Sequence, residues 1–269
     1  MNTYLSTKYP HARDSRISFD EATHTYEIDG SSEGVISVTT LIHHHFPKFN
    51  ANEVLKKMRK SKNGMDKYKG MTDEEIKTLW SENGKSASGQ GTKMHKSIEM
   101  FYNDNFDYIY EEQPKEFMHF IAFNESVKAR LTPYRTEWSI FRSDLKLAGQ
   151  LDMLYKVNDQ EGYALYDWKR SKEIKVDNKF EKGLGPFELD HCNYVHYSIQ
   201  LNIYKRILET LYQLPIVEMF LVVLHPDNET YKLFQVNEMK NEIDYIIAER
   251  KKEMAKEMLV KEMDKDEKK

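Results

Sequence analysis

The chain has 269 residues, 31% of them charged, one cysteine and a formal net charge of −4 at pH 7. That length can bury a full core, as one elaborated domain or as a core with an accessory lobe. No run of about 18 apolar residues occurs, which excludes a helical membrane span, and the lone Cys192 excludes an internal disulfide and any iron–sulfur cluster, which needs about four thiolates. The first eight residues carry no apolar leader. The composition suits a soluble, intracellular protein.

Taken in chain order, residues 17–29 alternate apolar and polar side chains (Ile17, Phe19, then Tyr26, Ile28), which predicts a short hairpin. Residues 51–60 and 73–83 read as helices, and with the hairpin they make residues 1–88 an N-terminal accessory lobe. Within it Lys56, Lys57, Arg59, Lys60 and Lys62 form a basic run, followed by Lys67 and Lys69. This run is either a phosphate-contacting surface or a solvated helix face. The acids gather elsewhere, in Asp73-Glu74-Glu75, in Glu111-Glu112 and in the C-terminal tail, so net charge alone is a poor guide to binding. His43-His44-His45 has no partner at ligand spacing and reads as a loop.

Gly89 and Gly91 mark a break, after which Met94, Ile98, Phe101 and Tyr102 recur at helical spacing and open a core over residues 89–237. Its expected elements are helices over 92–105 and 114–130, a strand over 134–142, a hairpin of 147–157 with 163–168, a helix over 193–212, and strands over 217–225 and 230–236. Residues 171–190 form a long irregular insertion, read as a lid or gating loop or as a mobile connection. Residues 238–269 read as a charged helix and tail, with Ile243, Ile246, Ile247, Met254 and Met258 on one side.

The residues that carry chemistry gather on the second hairpin. Gly149-Gln150-Leu151-Asp152 lies on its first strand and Asp167-Trp168-Lys169 on its second, with the turn-prone Asn158-Asp159-Gln160-Glu161-Gly162 between. A fold-back between Asp159 and Gln160 sets position 152 opposite 167. Opposed residues project from one face with Cβ atoms about 4.5–5.5 Å apart, and Asp167 shares that face with Lys169 by period-two alternation. Two bare carboxylates so close repel unless a cation lies between them, and Mg²⁺ or Mn²⁺ suits oxygen ligands. The alternative is a pair of solvated acids on the exposed face of an antiparallel sheet. His95 and Glu99 are neighbours on one helix face; a histidine so placed is a ligand candidate, although it is more often exposed or hydrogen-bonded in place. Gln200 and Tyr204 share a face of the later helix, where a polar helix edge accounts for them equally. Tyr194, Tyr197 and Tyr204 offer either stacking surfaces for unpaired bases, worth about 1–3 kcal/mol per base, or core packing.

The ordered series Gly91-x-x-x-His95, Gly149-x-x-Asp152, Asp167-x-Lys169, Gln200-x-x-x-Tyr204 resembles the RecB-like branch of the PD-(D/E)xK nuclease superfamily. The segment Ser37-Val38-Thr39-Thr40 is similar to one that precedes the histidine motif in phage, viral and mitochondrial genome maintenance exonucleases. The resemblance spans roughly Ile36 to Val236. It implies an α/β (α+β) restriction-endonuclease-like core, with helices flanking a central mixed β-sheet, plus a mainly helical N-terminal lobe. It further implies metal-dependent phosphodiester hydrolysis, as a DNA exonuclease acting on single strands or duplex ends in replication, repair or recombination. An RNA endonuclease and an inactive nucleic-acid-binding module are the competing readings. His95, Asp152, Asp167 and the backbone carbonyl of Trp168 would hold one or two Mg²⁺ or Mn²⁺ ions. Lys169 would orient or deprotonate the attacking water and stabilise charge on the phosphate. Gln200 and Tyr204, with Tyr197, would position the substrate strand or support the lysine, and Lys57, Arg59 and Lys60 would contact its phosphates. Glu137 matches a glutamate of the preceding strand and is assigned to the catalytic set, with Glu99 behind it. One departure is the family's eponymous proline, replaced here by Tyr166. The implied partners are DNA, with RNA as the alternative, and replication or recombination proteins; a viral member would work in the host cytoplasm or nucleus.

Overall fold

The computed structural model describes residues 3–103 and 114–266, so Glu111 and Glu112 lie outside the described residues. Helix α1 (Tyr4–Lys8) precedes a hairpin of β1 (Ile17–Asp20) and β2 (Thr25–Ile28), in the register Ile17↔Ile28 and Phe19↔Tyr26. The chain then forms β3 (Ile36–Ser37), α2 (Val38–His43), α3 (Ala51–Lys60), α4 (Asp73–Tyr102), α5 (Phe117–Val127) and β4 (Leu131–Arg142). It continues through β5 (Leu147–Val157), β6 (Tyr163–Lys169), α6 (Asn193–Ile207), β7 (Ile216–Val223), β8 (Lys232–Gln235) and α7 (Lys240–Asp266). Strands β3 to β8 make one six-stranded mixed sheet flanked by helices, the class expected from the sequence. Among the described residues no helix is long and apolar enough to cross a membrane.

Strand β5 is the spine. Strand β4 runs antiparallel along one edge for its whole length. The other edge is divided: β3 pairs in parallel at Ile36↔Leu147 and Ser37↔Ala148, while β6 pairs antiparallel from Lys156↔Tyr163 to Met153↔Tyr166. That second register is the one set by a fold-back between Asp159 and Gln160. Beyond Met153 the two strands part, just where Asp152 and Asp167 stand, and β6 continues in parallel with β7 to Lys169↔Val223.

Both faces of the sheet are covered. On one, Leu41, Ile199, Ile203 and Ile246 from α2, α6 and α7 pack on Leu151, Leu154, Leu165 and Leu221. On the other, Leu5, Met94, Ile98, Phe120 and Phe123 pack on Met153, Tyr155, Tyr166, Trp168 and Val222. Double coverage explains why β5 and β6 read as near-continuous apolar runs, since each side chain meets a helix whichever way it points.

Three sequence expectations are corrected. The glycines at 89 and 91 do not break the chain: α4 is a single helix of 30 residues. A glycine costs a helix about 1 kcal/mol, but here it crowds nothing, as a Cβ on Gly84, Gly89 or Gly91 would meet open space. The helix is fixed from its ends, by the reciprocal Thr72–Glu75 capping box and by Met94, Ile98 and Tyr102 in the core. Second, β3 and α2, which fall in the 1–88 segment, are built into the main sheet and its core. Ser37 caps α2 by accepting from the Thr40 N–H at 3.0 Å, so the Ser-Val-Thr-Thr segment is a strand-to-helix turn. Third, His43 closes α2 instead of lying in a loop.

Phe123 is fully buried against Trp168 and Tyr166. Phe123→Ala is expected to lower the unfolding free energy by about 3–5 kcal/mol in urea titrations followed by circular dichroism.

Candidate active site

The parting of β5 and β6 frees backbone groups that the ladder would otherwise use, and site side chains take them. Asp152 Oδ2 accepts from the Trp168 N–H at 2.7 Å. The Trp168 carbonyl lies 3.1 Å from His95 Nε2, which reaches in from α4. The other ring nitrogen, Nδ1, lies 3.3 Å from Glu137 Oε1 and 3.7 Å from Asp152 Oδ1. Each ring nitrogen thus faces oxygens that accept, which favours the imidazolium. Burial by itself would lower the imidazole pKa, but the charges of Asp152 and Glu137, and the hydrogen bond to Glu137, raise it to about 9.

Glu137 enters through an unusual backbone. The ladder pairs Thr136 with Met153 and Trp138 with Leu151, leaving Glu137 opposite Asp152 in a left-handed conformation (φ 46°). That conformation costs a non-glycine residue about 1–2 kcal/mol, so neighbours must hold it. Gln150 Nε2 donates to the Glu137 carbonyl at 3.0 Å, and Thr136 Oγ1 donates to the Asp152 carbonyl at 2.9 Å.

The two aspartates are almost fully buried, 8% exposed for Asp152 and 1% for Asp167. Burial raises the pKa of Asp152, with Glu137 adding to it against the pull of His95 and Lys169. Burial and the Asp152 charge raise Asp167 to about 7, against Lys169. Lys169 Nζ sits 2.6 Å from Asp167 Oδ2 and 4.4 Å from the centroid of the Tyr197 ring. Its own burial would lower the amine, yet the charges of Asp167 and Asp152 outweigh that and raise it. In the metal-free site Lys169 is therefore held as an ammonium, the form that can orient the attacking water but not deprotonate it.

Ligand-type atoms of His95, Glu137 and Asp152 lie within 4.8 Å of one another. An imidazole and two carboxylates, with a peptide carbonyl alongside, form a donor set that suits Mg²⁺ or Mn²⁺. The cluster differs from the implied ligand set at one position. Glu137 completes it, whereas Asp167 is turned to Lys169. Glu99 stands one turn past His95 and pairs with Lys96 at 2.8 Å, outside the cluster.

The remaining predicted residues fall into two groups. Gln200 Nε2 donates to Tyr204 Oη at 3.0 Å, and Tyr204 is only 2% exposed, so it supports the floor of the site without facing a substrate strand. Glycine is required at 149 against this ring, because a Cβ there would stand 2.6 Å from Tyr204 Cε1. Tyr197 lies under the Lys169 ammonium. By contrast Lys57, Arg59 and Lys60 are exposed on α3, with Arg59 paired to Asp73. The insertion after β6 is irregular and tied to the start of α6: Asn193 Oδ1 accepts from the Lys175 N–H at 2.8 Å, and Asn178 Nδ2 donates to the His191 carbonyl at 2.7 Å. Sequence reasoning missed the parts played by Thr136, which belongs to no motif, and by Gln150, which fills a variable position of Gly149-x-x-Asp152.

No family model matches the chain, and no curated protein matches it. Among solved structures it is similar to a candidate exonuclease from Eubacterium rectale, at 12% identity and a TM-score of 0.42 over 64% of this chain and 68% of that one. It is also similar to SSO0001, at 13% identity and a TM-score of 0.30 over 83% and 77% of the two chains. These likenesses are loose, and function is read from the site itself.

Because Asp152 supplies the largest upward push on His95, Asp152→Asn is expected to lower the His95 pKa from about 9 in metal-free protein. An NMR titration of the ring carbons checks this; an unchanged value would contradict the geometry.

Proposed function

We propose that the protein is a divalent-metal-dependent nuclease that hydrolyses phosphodiester bonds, acting as a DNA exonuclease on single strands or duplex ends. One observation carries this reading: His95, Glu137 and Asp152 converge from α4, β4 and β5 beside an ammonium held by a buried carboxylate. Mg²⁺ or Mn²⁺, held by those three side chains next to the Trp168 carbonyl, would supply Lewis-acid polarisation of the scissile phosphate.

The chain's own residues do the rest. Lys169 brings a fixed positive charge to where negative charge grows on the phosphate oxygens. Because Asp167 and Tyr197 already hold it, little reorganisation is needed as that charge develops. An ammonium has three N–H donors; with one on Asp167, another remains to orient the attacking water. Asp167 acts through Lys169, and Gln200 and Tyr204 keep the floor beneath Gly149 closed. The exposed Lys57 and Lys60 of α3 would add phosphate contacts, making binding weaken as salt rises. DNA replication, repair or recombination is the setting that the motif order suggests.

End-labelled single- and double-stranded DNA of defined length tests the reading. Mg²⁺ or Mn²⁺ should support degradation and EDTA should stop it, with mononucleotides released from one end. Lys169→Ala and Asp152→Ala should each lower the rate by at least about 100-fold with the circular dichroism spectrum unchanged. Retained turnover in either variant would defeat the assignment. Cleavage of RNA with DNA spared would transfer it to an RNA endonuclease, and binding without cleavage under both metals would favour an inactive module.

A further inference from the structure

Helix α4 carries an aromatic group as well as His95. Trp80 stands fifteen residues before His95 on the same helix, which places it about 22 Å back along the axis and about 60° around it. Phe49, Tyr68 and Trp80 lie outside the apolar clusters that pack the sheet. Trp80 Nε1 donates to Tyr68 Oη at 2.9 Å, and the two rings meet edge-on with centroids 6.0 Å apart, so Trp80 is fixed in place. Phe49 meets Trp80 edge-on at 6.1 Å and is still 72% exposed. A large apolar ring is thus held against a braced neighbour with its surface turned to solvent.

The segment that brings Phe49 and Tyr68 to Trp80 is also the basic one. Residues 48–70 hold eight Lys or Arg against two acids, Glu53 and Asp66, in a chain whose net charge is −4. Lys56, Lys57, Lys60, Lys62 and Lys67 are exposed. The Arg59–Asp73 ion pair ties α3 to the start of α4, so this charge is carried on the helix that supplies His95. Between Trp80 and His95, residues 81–90 of α4 are exposed throughout. Lysines beside an exposed aromatic ring suit a polyanion that also presents flat apolar faces, and an unpaired nucleic-acid strand is such a polymer. A duplex would use the lysines and leave Phe49 without a role, because its bases already stack on one another.

We infer that Phe49, braced by Trp80 and Tyr68, is a base-stacking platform for the unpaired DNA strand whose scissile phosphate lies at the His95–Glu137–Asp152 cluster, with Lys57 and Lys60 on that strand's phosphates. The inference rests on the nuclease reading above and gives it a strand path along α4. Twelve nucleotides, at about 3.4 Å or more each, are long enough to occupy both ends of that path.

The test compares wild type, Phe49→Ala and Phe49→Trp on dT12 and on a fully abasic strand of the same length, which keeps the phosphates and lacks the bases. Fluorescence anisotropy in EDTA measures binding without cleavage. Phe49→Ala should weaken dT12 binding about tenfold, the loss of one stacked base, and leave binding of the abasic strand unchanged. Phe49→Trp should bind dT12 as wild type does, and neither variant should shift the melting temperature. In Mn²⁺, Phe49→Ala should raise KM for dT12 by the same factor with kcat unchanged, because the stacked base lies away from the reacting phosphate. Unchanged dT12 affinity in Phe49→Ala, an equal loss on both strands, or weaker binding with an unchanged KM would each overturn the inference and leave the nuclease reading standing. Should wild type bind dT12 through Phe49 yet never cleave it, the nuclease reading alone falls and the platform stands as a binding surface.

Discussion

Three carboxylates share a largely buried site, and their mutual repulsion is the constraint around which it is organised. Among the described residues, Glu137, Asp152 and Asp167 are faced by two groups able to carry positive charge, His95 and Lys169. With every group ionised the set carries one uncompensated negative charge. Exchanging the imidazole's proton for a divalent ion makes it neutral, because a ligating histidine gives up that proton. The pressure toward a bound cation or a retained proton is thus a property of the buried charges and does not depend on any resemblance.

The scaffold creates this pressure by a local departure from regular sheet. Were β6 to stay paired with β5 past Met153, the Trp168 N–H and C=O would be spent on the ladder. Since the strands part there, those groups orient Asp152 and His95. The left-handed Glu137 is the matching distortion on the other side of β5. Both departures sit in a sheet packed on its two faces, so surrounding side chains over-determine the geometry and the strain persists.

The second hairpin was legible from sequence because its information is local. A polar turn ending in glycine and a period of two suffice to set Asp167 and Lys169 on one face and to fix the register. Helix α4 was misread because glycine punctuation is only a weak local preference, and here the cap at Thr72 and the core contacts beyond Met94 overrule it. The exchange of Glu137 for Asp167 in the cluster could not be foreseen, since it depends on one backbone dihedral and on Lys169 claiming Asp167.

The most direct test of the central claim is anomalous diffraction from a crystal soaked in Mn²⁺. The account predicts a single strong peak within bonding distance of His95, Glu137 and Asp152, with Asp167 still paired to Lys169. Manganese bound elsewhere, or no peak between those three side chains, would contradict it.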